Sequence, residues 1–244
     1  MIERDCTVTT KHGGIPSFLV APDADNQWPA IVLYMDAPGI REELRNMARR
    51  IAKQGYVCLL PDLYHRYGHL RFDIPRRSDA MSNVIKAAYL SLTDANIEED
   101  TAGFIGFLAA QPEVRPGPFG AIGFCMSGRF VTVAARKFPG HVACAASLYG
   151  TRLVTDEPDS PHLDLSGITA EMYYGFGTID VTTPPDYIKT FKASLDEAGV
   201  NYDMDIFENV DHGYSFVERP VYDEAAAEQS WSKNFEMFAR HLKR

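Results

Sequence analysis

This 244-residue chain contains few cysteines and no closely spaced metal-ligand pattern, and it is long enough to need no covalent cross-links. These features exclude small zinc-binding and disulfide-stabilised domains. The four cysteines form no CxxC pair and have no histidine at zinc-finger spacing, which argues against a structural zinc; they are Cys6, Cys58, Cys125 and Cys144. A chain of this length buries enough apolar surface to fold without disulfides. We therefore expect reduced cysteines and no structural metal.

The chain also lacks an excess of positive charge and any segment of membrane-spanning length. Acidic residues outnumber basic ones by 33 to 24, and such a surface repels nucleic-acid phosphates and anionic lipids. Apolar runs such as PAIVLYM are far shorter than the roughly 20 residues that span a bilayer, and the first residues, MIERDCTVTTKHGG, contain no apolar signal segment. These features predict a cytoplasmic protein with small-molecule partners, and they leave open whether it is a monomer or a homodimer.

What the chain does contain is a regular alternation of β-type and helical segments. Short apolar runs predict strands in IPSFLVAP, PAIVLYMD, YVCLLPDLY, PFGAIGFC, HVACAASLYG, AEMYYGFG and NYDMDIFEN. Helical spacing falls between them, in REELRNMARRIAKQG, in 78–111 as two helices broken near 92–96, in MSGRFVTVAARKF, in PPDYIKTFKASLDEAG and in 222–243. The alternation predicts one α/β domain over residues 1–244, with a mostly parallel sheet of about eight strands and helices on both faces.

The least regular stretches are 64–77 and 151–167, and both follow predicted strands. In sheets of this type, ligands bind at the carboxyl edge, where such loops emerge. We therefore expect a site at this edge.

The segment IGFCMSGRF, residues 122–130, is typical of the sharp strand-to-helix turn on which hydrolases hold a nucleophile. The turn requires small residues two positions before and two positions after the nucleophile. Gly123 and Ser127 satisfy this requirement around Cys125, whereas centring the turn on Ser127 would place Arg129 where a long side chain does not fit. The pattern therefore selects Cys125.

Cysteine at the end of a strand is more often a core residue than a nucleophile, so this segment alone does not establish catalysis. Cysteine attacks as the thiolate, which the N-terminus of the following helix favours. It also needs a base and a group that orients the base.

Two downstream residues supply these groups in the order nucleophile, acid, histidine that such folds use. His212 lies in ENVDHGYSF, just after a predicted strand, and Asp180 lies between a strand and a proline-capped helix. Taken alone, Asp180 is also typical of a loop or capping residue and His212 of a solvated turn. The order of Cys125, Asp180 and His212, each after a strand, favours a triad.

Together these segments resemble the dienelactone hydrolase (carboxymethylenebutenolidase) family of α/β-hydrolases. The matching segments are GFCMSGR, GFGTIDVTTP and DHGYSF, supported by YMDAPGI, GYVCLLPDLYHR and SWSKNFEMFARHL. The resemblance covers nearly the whole chain. It implies an α/β-hydrolase fold, a Cys125–His212–Asp180 triad, and an oxyanion hole formed by the backbone N–H groups of Met126 and Ala37.

The resemblance also implies an acidic residue in the early loop that modulates the thiol; the matching position is Asp36, where the family usually has glutamate. The family binds a substrate carboxylate with arginines, one of them four residues after the histidine. Phe216 occupies that position here and cannot hold a carboxylate. Further pocket candidates, whose arginines are also typical of a solvated surface, are Tyr64, Arg66, Arg76, Arg77, Tyr214 and Phe216.

These observations predict a cysteine-dependent hydrolase that cleaves carboxylic esters or lactones through a thioester. This hydrolytic mechanism requires neither a metal nor a cofactor. One alternative is a promiscuous esterase or phosphotriesterase with an unrelated native substrate. Another is a non-catalytic binding or redox-sensing protein, because a low-pKa thiol oxidises readily. The complete proton-transfer chain favours the enzyme.

Overall fold

The computed structural model describes residues 1–23 and 25–243, and in these residues the chain forms eight strands and six α-helices. The strands are β1 (Ile2–Thr10), β2 (Gly13–Ala21), β3 (Ala30–Tyr34), β4 (Val57–Pro61), β5 (Phe119–Phe124), β6 (Val142–Leu148), β7 (Glu171–Gly177) and β8 (Tyr202–Phe207). The helices are α1 (Glu42–Lys53), α2 (Asp79–Leu90), α3 (Asp94–Ala109), α4 (Met126–Lys137), α5 (Pro185–Ala198) and α6 (Glu224–Leu242).

The strands form one sheet in the order β1-β2-β4-β3-β5-β6-β7-β8. β1 pairs with β2, and β2 with β4, in antiparallel orientation. The pairs β3–β4, β6–β7 and β7–β8 are parallel. The predicted α/β class, with a mostly parallel sheet of about eight strands, is confirmed.

The fold contains two compact units, Met1–Phe119 and Gly120–Arg244. In the first, α1 packs on β2 and β4, and α3 packs on β1. In the second, α4 packs on β6, and α6 packs on β6 and β7. The single domain over residues 1–244 stays a prediction.

Helix boundaries follow local capping chemistry. Ser78 caps α2 by accepting a hydrogen bond from the backbone N–H of Met81, and Thr93 and Asn96 form a capping box at the start of α3. The predicted break near 92–96 is therefore confirmed. Proline begins α5, and Gly199 ends it with a φ of 66°, as the sequence predicts.

The sequence pattern missed β1, whose residues alternate between exposed and half-buried and are mostly polar. Its backbone pairs with β2 along its whole length, from Ile2 opposite Ala21 to Thr10 opposite Gly13. An antiparallel strand with one solvated face carries too little apolar signal to stand out in a sequence.

All four cysteines are free thiols. Burial raises the pKa of Cys58 and Cys144 well above the ordinary range, and it raises that of half-buried Cys6 to about 11. These three thiols are therefore poor nucleophiles.

Among residues 1–23 and 25–243, no helix combines the length and apolar character needed to cross a membrane.

Candidate active site

Cys125 occupies the single residue between β5 and α4, and its backbone has φ 56° and ψ −118°. Non-glycine residues rarely adopt positive φ, and such strain persists only where the surroundings enforce it. A Cβ on Gly123 would lie 2.3 Å from the carbonyl oxygen of Ser127. The requirement for a minimal residue two positions before the cysteine is thereby confirmed.

Backbone contacts hold this turn on both sides. The N–H of Cys125 donates to the carbonyl of Leu148 at 3.1 Å, and its own carbonyl accepts from the N–H of Thr151 at 3.0 Å. A Cβ on Gly128 would lie 2.3 Å from the Cα of Gly150. At Gly128, α4 therefore packs closely against the residues that follow β6.

The position of Cys125 favours its thiolate form. It is half-buried and forms the N-cap of α4, where the partial positive charge of the helix N-terminus stabilises an anion. Met126 is the first residue of α4, and the N–H groups of a first helical turn point beyond the helix end. The turn therefore places the Cys125 side chain and the first N–H groups of α4 at the same end of the helix.

Asp180 follows β7, and its side chain is fully buried. One carboxylate oxygen accepts from the N–H and the hydroxyl of Thr182, at 2.7 and 2.6 Å. The other accepts from the hydroxyl of Thr183 at 2.9 Å and from Nδ1 of His212 at 2.7 Å. Burial would raise the pKa of Asp180, but the hydrogen bond and positive charge of His212, together with Thr182, hold it below its usual value.

The two threonines are site residues that the sequence analysis did not select. Hydroxyl residues two and three positions after an aspartate are a recognisable turn signal, because they donate back to its carboxylate. The run TIDVTTPP therefore contained the information that fixes Asp180.

His212 follows β8 and lies with Nδ1 on Asp180, so Nε2 is the nitrogen that faces away from the acid. The structure joins its ring to Cys125 by a hydrogen bond. Burial would lower the pKa of His212, but the negative charge of the Cys125 thiolate and the hydrogen bonds to Asp180 and Cys125 raise it to about 10. The structure thus brings the three predicted triad residues together, and the raised pKa of His212 favours a protonated imidazole beside a Cys125 thiolate.

The charge of the thiolate is the largest cause that raises the pKa of His212, so removing it has a measurable consequence. Since the folded-state pKa of about 10 lies above 6.5, protonated His212 contributes stability that is complete below pH 6.5 and is lost as the pH rises through about 10. We expect the pKa of His212 to fall in Cys125→Ala. NMR titration of the ring carbon-bound protons, assigned with His212→Gln, measures it; identical titrations in both proteins would contradict the ion pair.

In the first unit, the loop after β3 is held by side chains. Asp36 is fully buried, and Arg41 donates to both of its oxygens, at 2.5 and 3.0 Å. The hydroxyl of Tyr64 donates to the carbonyl of Ala37 at 2.7 Å. The roles of Asp36 and Ala37 at the thiol stay predictions, and Arg41, which the sequence analysis missed, is the partner that fixes Asp36.

No cluster of three or more His, Cys, Asp or Glu side chains suited to a metal occurs in the part of the chain that the structure describes. The side chains of Cys125, Asp180 and His212 are of the types that carry out nucleophilic attack and proton transfer.

The model of the dienelactone hydrolase family matches residues 15–242, which is nearly the whole chain. The chain belongs to the dienelactone hydrolase family. It is therefore a hydrolase of the ester- and lactone-cleaving type, as the motifs predict.

Two relatives extend the comparison. A Synechocystis protein named "Putative carboxymethylenebutenolidase" is 28% identical over 244 residues, covering 97% of this chain and 96% of its own length. A Bradyrhizobium protein named "Probable 2-oxo-3-(5-oxofuran-2-ylidene)propanoate lactonase" is 23% identical, covering 93% of this chain and 89% of its own.

Two solved structures share the fold. A Klebsiella pneumoniae protein named "Putative Dienelactone Hydrolase" superposes with a TM-score of 0.87 at 23% identity, covering 98% of this chain and 99% of its own. A dienelactone hydrolase-like promiscuous phosphotriesterase from metagenomic libraries gives a TM-score of 0.80 at 19% identity, covering 99% and 98%. Both confirm the α/β-hydrolase fold that the motifs imply.

The arginines proposed for a family-type carboxylate site have protein partners. Arg66 donates to both oxygens of buried Asp100, each at 2.9 Å. Arg76 is 87% exposed and pairs with Asp73, whereas Arg77 is exposed and donates to the hydroxyl of Ser82. Arg66 thus fixes the loop after β4 to α3. A role in substrate binding for Arg66, Arg76 or Arg77 stays a prediction.

The aromatic candidates near His212 are fully buried. The hydroxyl of Tyr214 lies 2.9 Å from that of Ser230, and the ring of Phe216 packs edge-on against Phe124 at 5.3 Å between centroids. Tyr64 is also fully buried. These rings support the loops, and their lining of a substrate pocket stays a prediction.

A cation that the sequence analysis missed lies beside the family's arginine position. The guanidinium carbon of Arg219 lies 4.9 Å from the centroid of the Phe216 ring. A Cβ on Gly213 would lie 2.6 Å from Nη1 of Arg219. The half-buried guanidinium of Arg219 therefore packs against the backbone of the residue next to His212. No spacing rule could have found it, because the chain must fold back over Phe216.

Proposed function

We propose that this chain hydrolyses carboxylic esters or lactones with Cys125 as the nucleophile and a thioester as the intermediate. The observation that carries the proposal is the strained Cys125 turn, with His212 hydrogen-bonded to the sulfur and Asp180 hydrogen-bonded to His212. A buried core cysteine would need neither the turn nor the two partners.

In the first half of the reaction, the thiolate of Cys125 attacks the carbonyl carbon, and the electron pair of the carbonyl moves onto its oxygen. The N–H of Met126 donates to this oxyanion, in keeping with its place at the start of α4. The intermediate collapses to the thioester and expels the alcohol oxygen, which takes the proton from Nε2 of His212. A second N–H, that of Ala37, is expected from the family resemblance.

In the second half, water attacks the thioester carbon and gives a proton to Nε2 of His212. Collapse of the new oxyanion expels the thiolate and leaves the carboxylic acid product. Asp180 keeps Nδ1 protonated throughout, so that Nε2 alone exchanges protons with the reactants. Thr182 and Thr183 hold the carboxylate in place for this task.

The proposal is tested with the purified protein and a panel of p-nitrophenyl esters and γ-lactones. Rapid acid quenching during turnover is expected to trap the acyl group on the peptide that contains Cys125, detected by mass spectrometry. Turnover with an acyl group on another residue would contradict the nucleophile. A wild-type protein that turns over none of the panel, and whose Cys125 is oxidised reversibly by peroxide, would favour the redox sensor.

The substrate class we propose includes esters and lactones that carry a carboxylate. Arg219 supports this proposal, because its positive charge packs beside the histidine loop. The Bradyrhizobium relative is named for a lactone that bears a propanoate group, which is an anion of this kind. A charge-assisted contact to such a group would orient the carbonyl toward Cys125.

Removing the charge of Arg219 is expected to act selectively on anionic substrates. Arg219→Gln should lower kcat/KM about tenfold for the mono-p-nitrophenyl ester of glutaric acid, through the loss of one charge-assisted hydrogen bond. The neutral p-nitrophenyl pentanoate, of equal acyl length, should change by less than about twofold.

Lys86→Gln is the matched control, since Lys86 is an exposed cation on α2 and its loss changes the net charge equally. Equal losses for both substrates, or the same loss in Lys86→Gln, would remove Arg219 from substrate selection.

The promiscuous phosphotriesterase among the structural neighbours makes a phosphotriester a useful addition to the panel. Faster turnover of that compound than of every ester would favour the alternative activity.

A further inference from the structure

Tyr149 adopts an unusual backbone conformation next to the triad. It follows β6 directly, its φ is 40°, and its side chain is fully buried. Its N–H donates to the carbonyl of Gly175 at 2.6 Å. Positive φ is costly for a bulky residue, so the surroundings hold Tyr149 in a conformation that aims its ring in one direction.

The ring is aimed at the triad histidine. The centroids of Tyr149 and His212 lie 5.0 Å apart with an interplanar angle of 67°, which is an edge-to-face contact. The ring also lies near Tyr214, at 5.0 Å between centroids, and Phe124, at 6.1 Å. A rigid aromatic wall therefore limits the tilt of the imidazole on one side.

The hydroxyl of Tyr149 ties the same wall to the loop that carries the histidine. It lies 2.6 Å from the hydroxyl of Ser215, and both side chains are buried. Ser215 is three residues after His212 and 66 positions away from Tyr149 in the chain. One side chain thus contacts the imidazole with its ring and anchors the imidazole's loop with its oxygen.

We propose that Tyr149, anchored by Ser215, is a positioning residue that holds the His212 ring in line between Asp180 and Cys125. The inference rests on the proposed function. The need for such a wall is visible at Nδ1, which lies 2.7 Å from Asp180 and 3.0 Å from the hydroxyl of Thr182. A small tilt of the ring exchanges these partners and moves Nε2 away from the sulfur.

The first test removes the wall with Tyr149→Leu and follows the thiolate directly. The rate at which iodoacetamide alkylates Cys125 between pH 5 and 10 reports the Cys125–His212 pair without any ester turnover. We expect alkylation at pH 6 to fall at least about fivefold and its pH profile to move upward. With p-nitrophenyl acetate, kcat should fall about 10- to 100-fold at nearly constant KM, as for a misaligned catalytic group.

The matched control is Tyr174→Leu, which removes another fully buried tyrosine of the same unit that packs on Phe191. It should lower the melting temperature without moving the alkylation profile. An unchanged profile and kcat in Tyr149→Leu, or an equal shift in Tyr174→Leu, would overturn the proposal. If wild type shows the expected alkylation but no ester turnover, the hydrolase function fails while the positioning role stands.

The second test keeps the ring and removes only the anchor, so it does not depend on the folding of Tyr149→Leu. Tyr149→Phe and Ser215→Ala should each lower kcat about threefold. The double variant should show no further loss, because the two substitutions remove the same hydrogen bond. Tyr149→Phe should also retain the alkylation profile of wild type. Additive losses would show that the two hydroxyls act separately and would refute the anchor.

Discussion

Replacing Cys125 by alanine is expected to lower kcat/KM for activated esters by at least about 10³-fold, the scale seen when a triad nucleophile is removed. The physical reason is that Cys125 is the proposed nucleophile and that alanine offers no atom that can form the acyl intermediate. Cys125 is small and half-buried at a turn fixed by backbone hydrogen bonds, so the fold should remain. Initial-rate kinetics and thermal melting by circular dichroism measure the two expectations.

Two further variants test whether the loss of activity is specific to the Cys125 thiol: Cys125→Ser and the control Cys6→Ala. Serine keeps an attacking oxygen in the same strained turn, so we expect residual activity, but the hydroxyl has no thiolate-like ionised form at neutral pH. Cys6→Ala removes a half-buried thiol of the first unit and should retain the rate of wild type. Full activity in Cys125→Ala would sink the proposed mechanism.

Gly123→Ala is expected to destabilise the protein by about 3 kcal/mol or more, at the upper end of the cost of overpacking a core. The added methyl group would lie 2.3 Å from the carbonyl oxygen of Ser127 and 2.9 Å from the side chain of Val131. Backbone at the start of α4 cannot retreat without opening the turn that strains Cys125. Urea unfolding should therefore show a lower midpoint, with ester turnover lost even where the protein remains folded.

Gly106→Ala is the matched control, because Gly106 lies inside α3 and a Cβ there meets nothing within 4 Å. Alanine in a helix interior should raise stability by about 0.5–1 kcal/mol. A Gly123→Ala protein with the stability and the activity of wild type would show that the turn tolerates a side chain at that position, against the geometry.

Much of the fold could be predicted because its signals are local. Apolar runs locate seven of the strands, and Gly199 and the prolines at 184 and 185 mark the ends of α5. β1 was not predicted because it is stabilised by pairing with β2, and its own composition carries little apolar signal. The antiparallel β1–β2 pair at the edge of the sheet was missed together with that strand.

That Cys125, Asp180 and His212 lie close together could be predicted for a different reason. Cys125, Asp180 and His212 each follow a strand that ends at one edge of the sheet, so chain order and strand order suffice to bring them together. The partners that refine the site could not be found in this way. These contacts depend on the directions of side chains inside loops. They are the hydrogen bonds of Arg41 to Asp36 and of Thr182 to Asp180, and the contact of Arg219 with the Phe216 ring.

The strand-to-helix turn, its centre at Cys125 and the chain order of Cys125, Asp180 and His212 can all be recognised in the amino-acid sequence. These follow from steric limits that act within a few residues, as between Gly123 and Ser127. The surroundings of the His212 ring, in contrast, depend on segments that are far apart in the chain. The ring of Tyr149 and the hydroxyl of Ser215 meet across 66 positions of chain, and a contact of that separation is set by how the strands and loops pack.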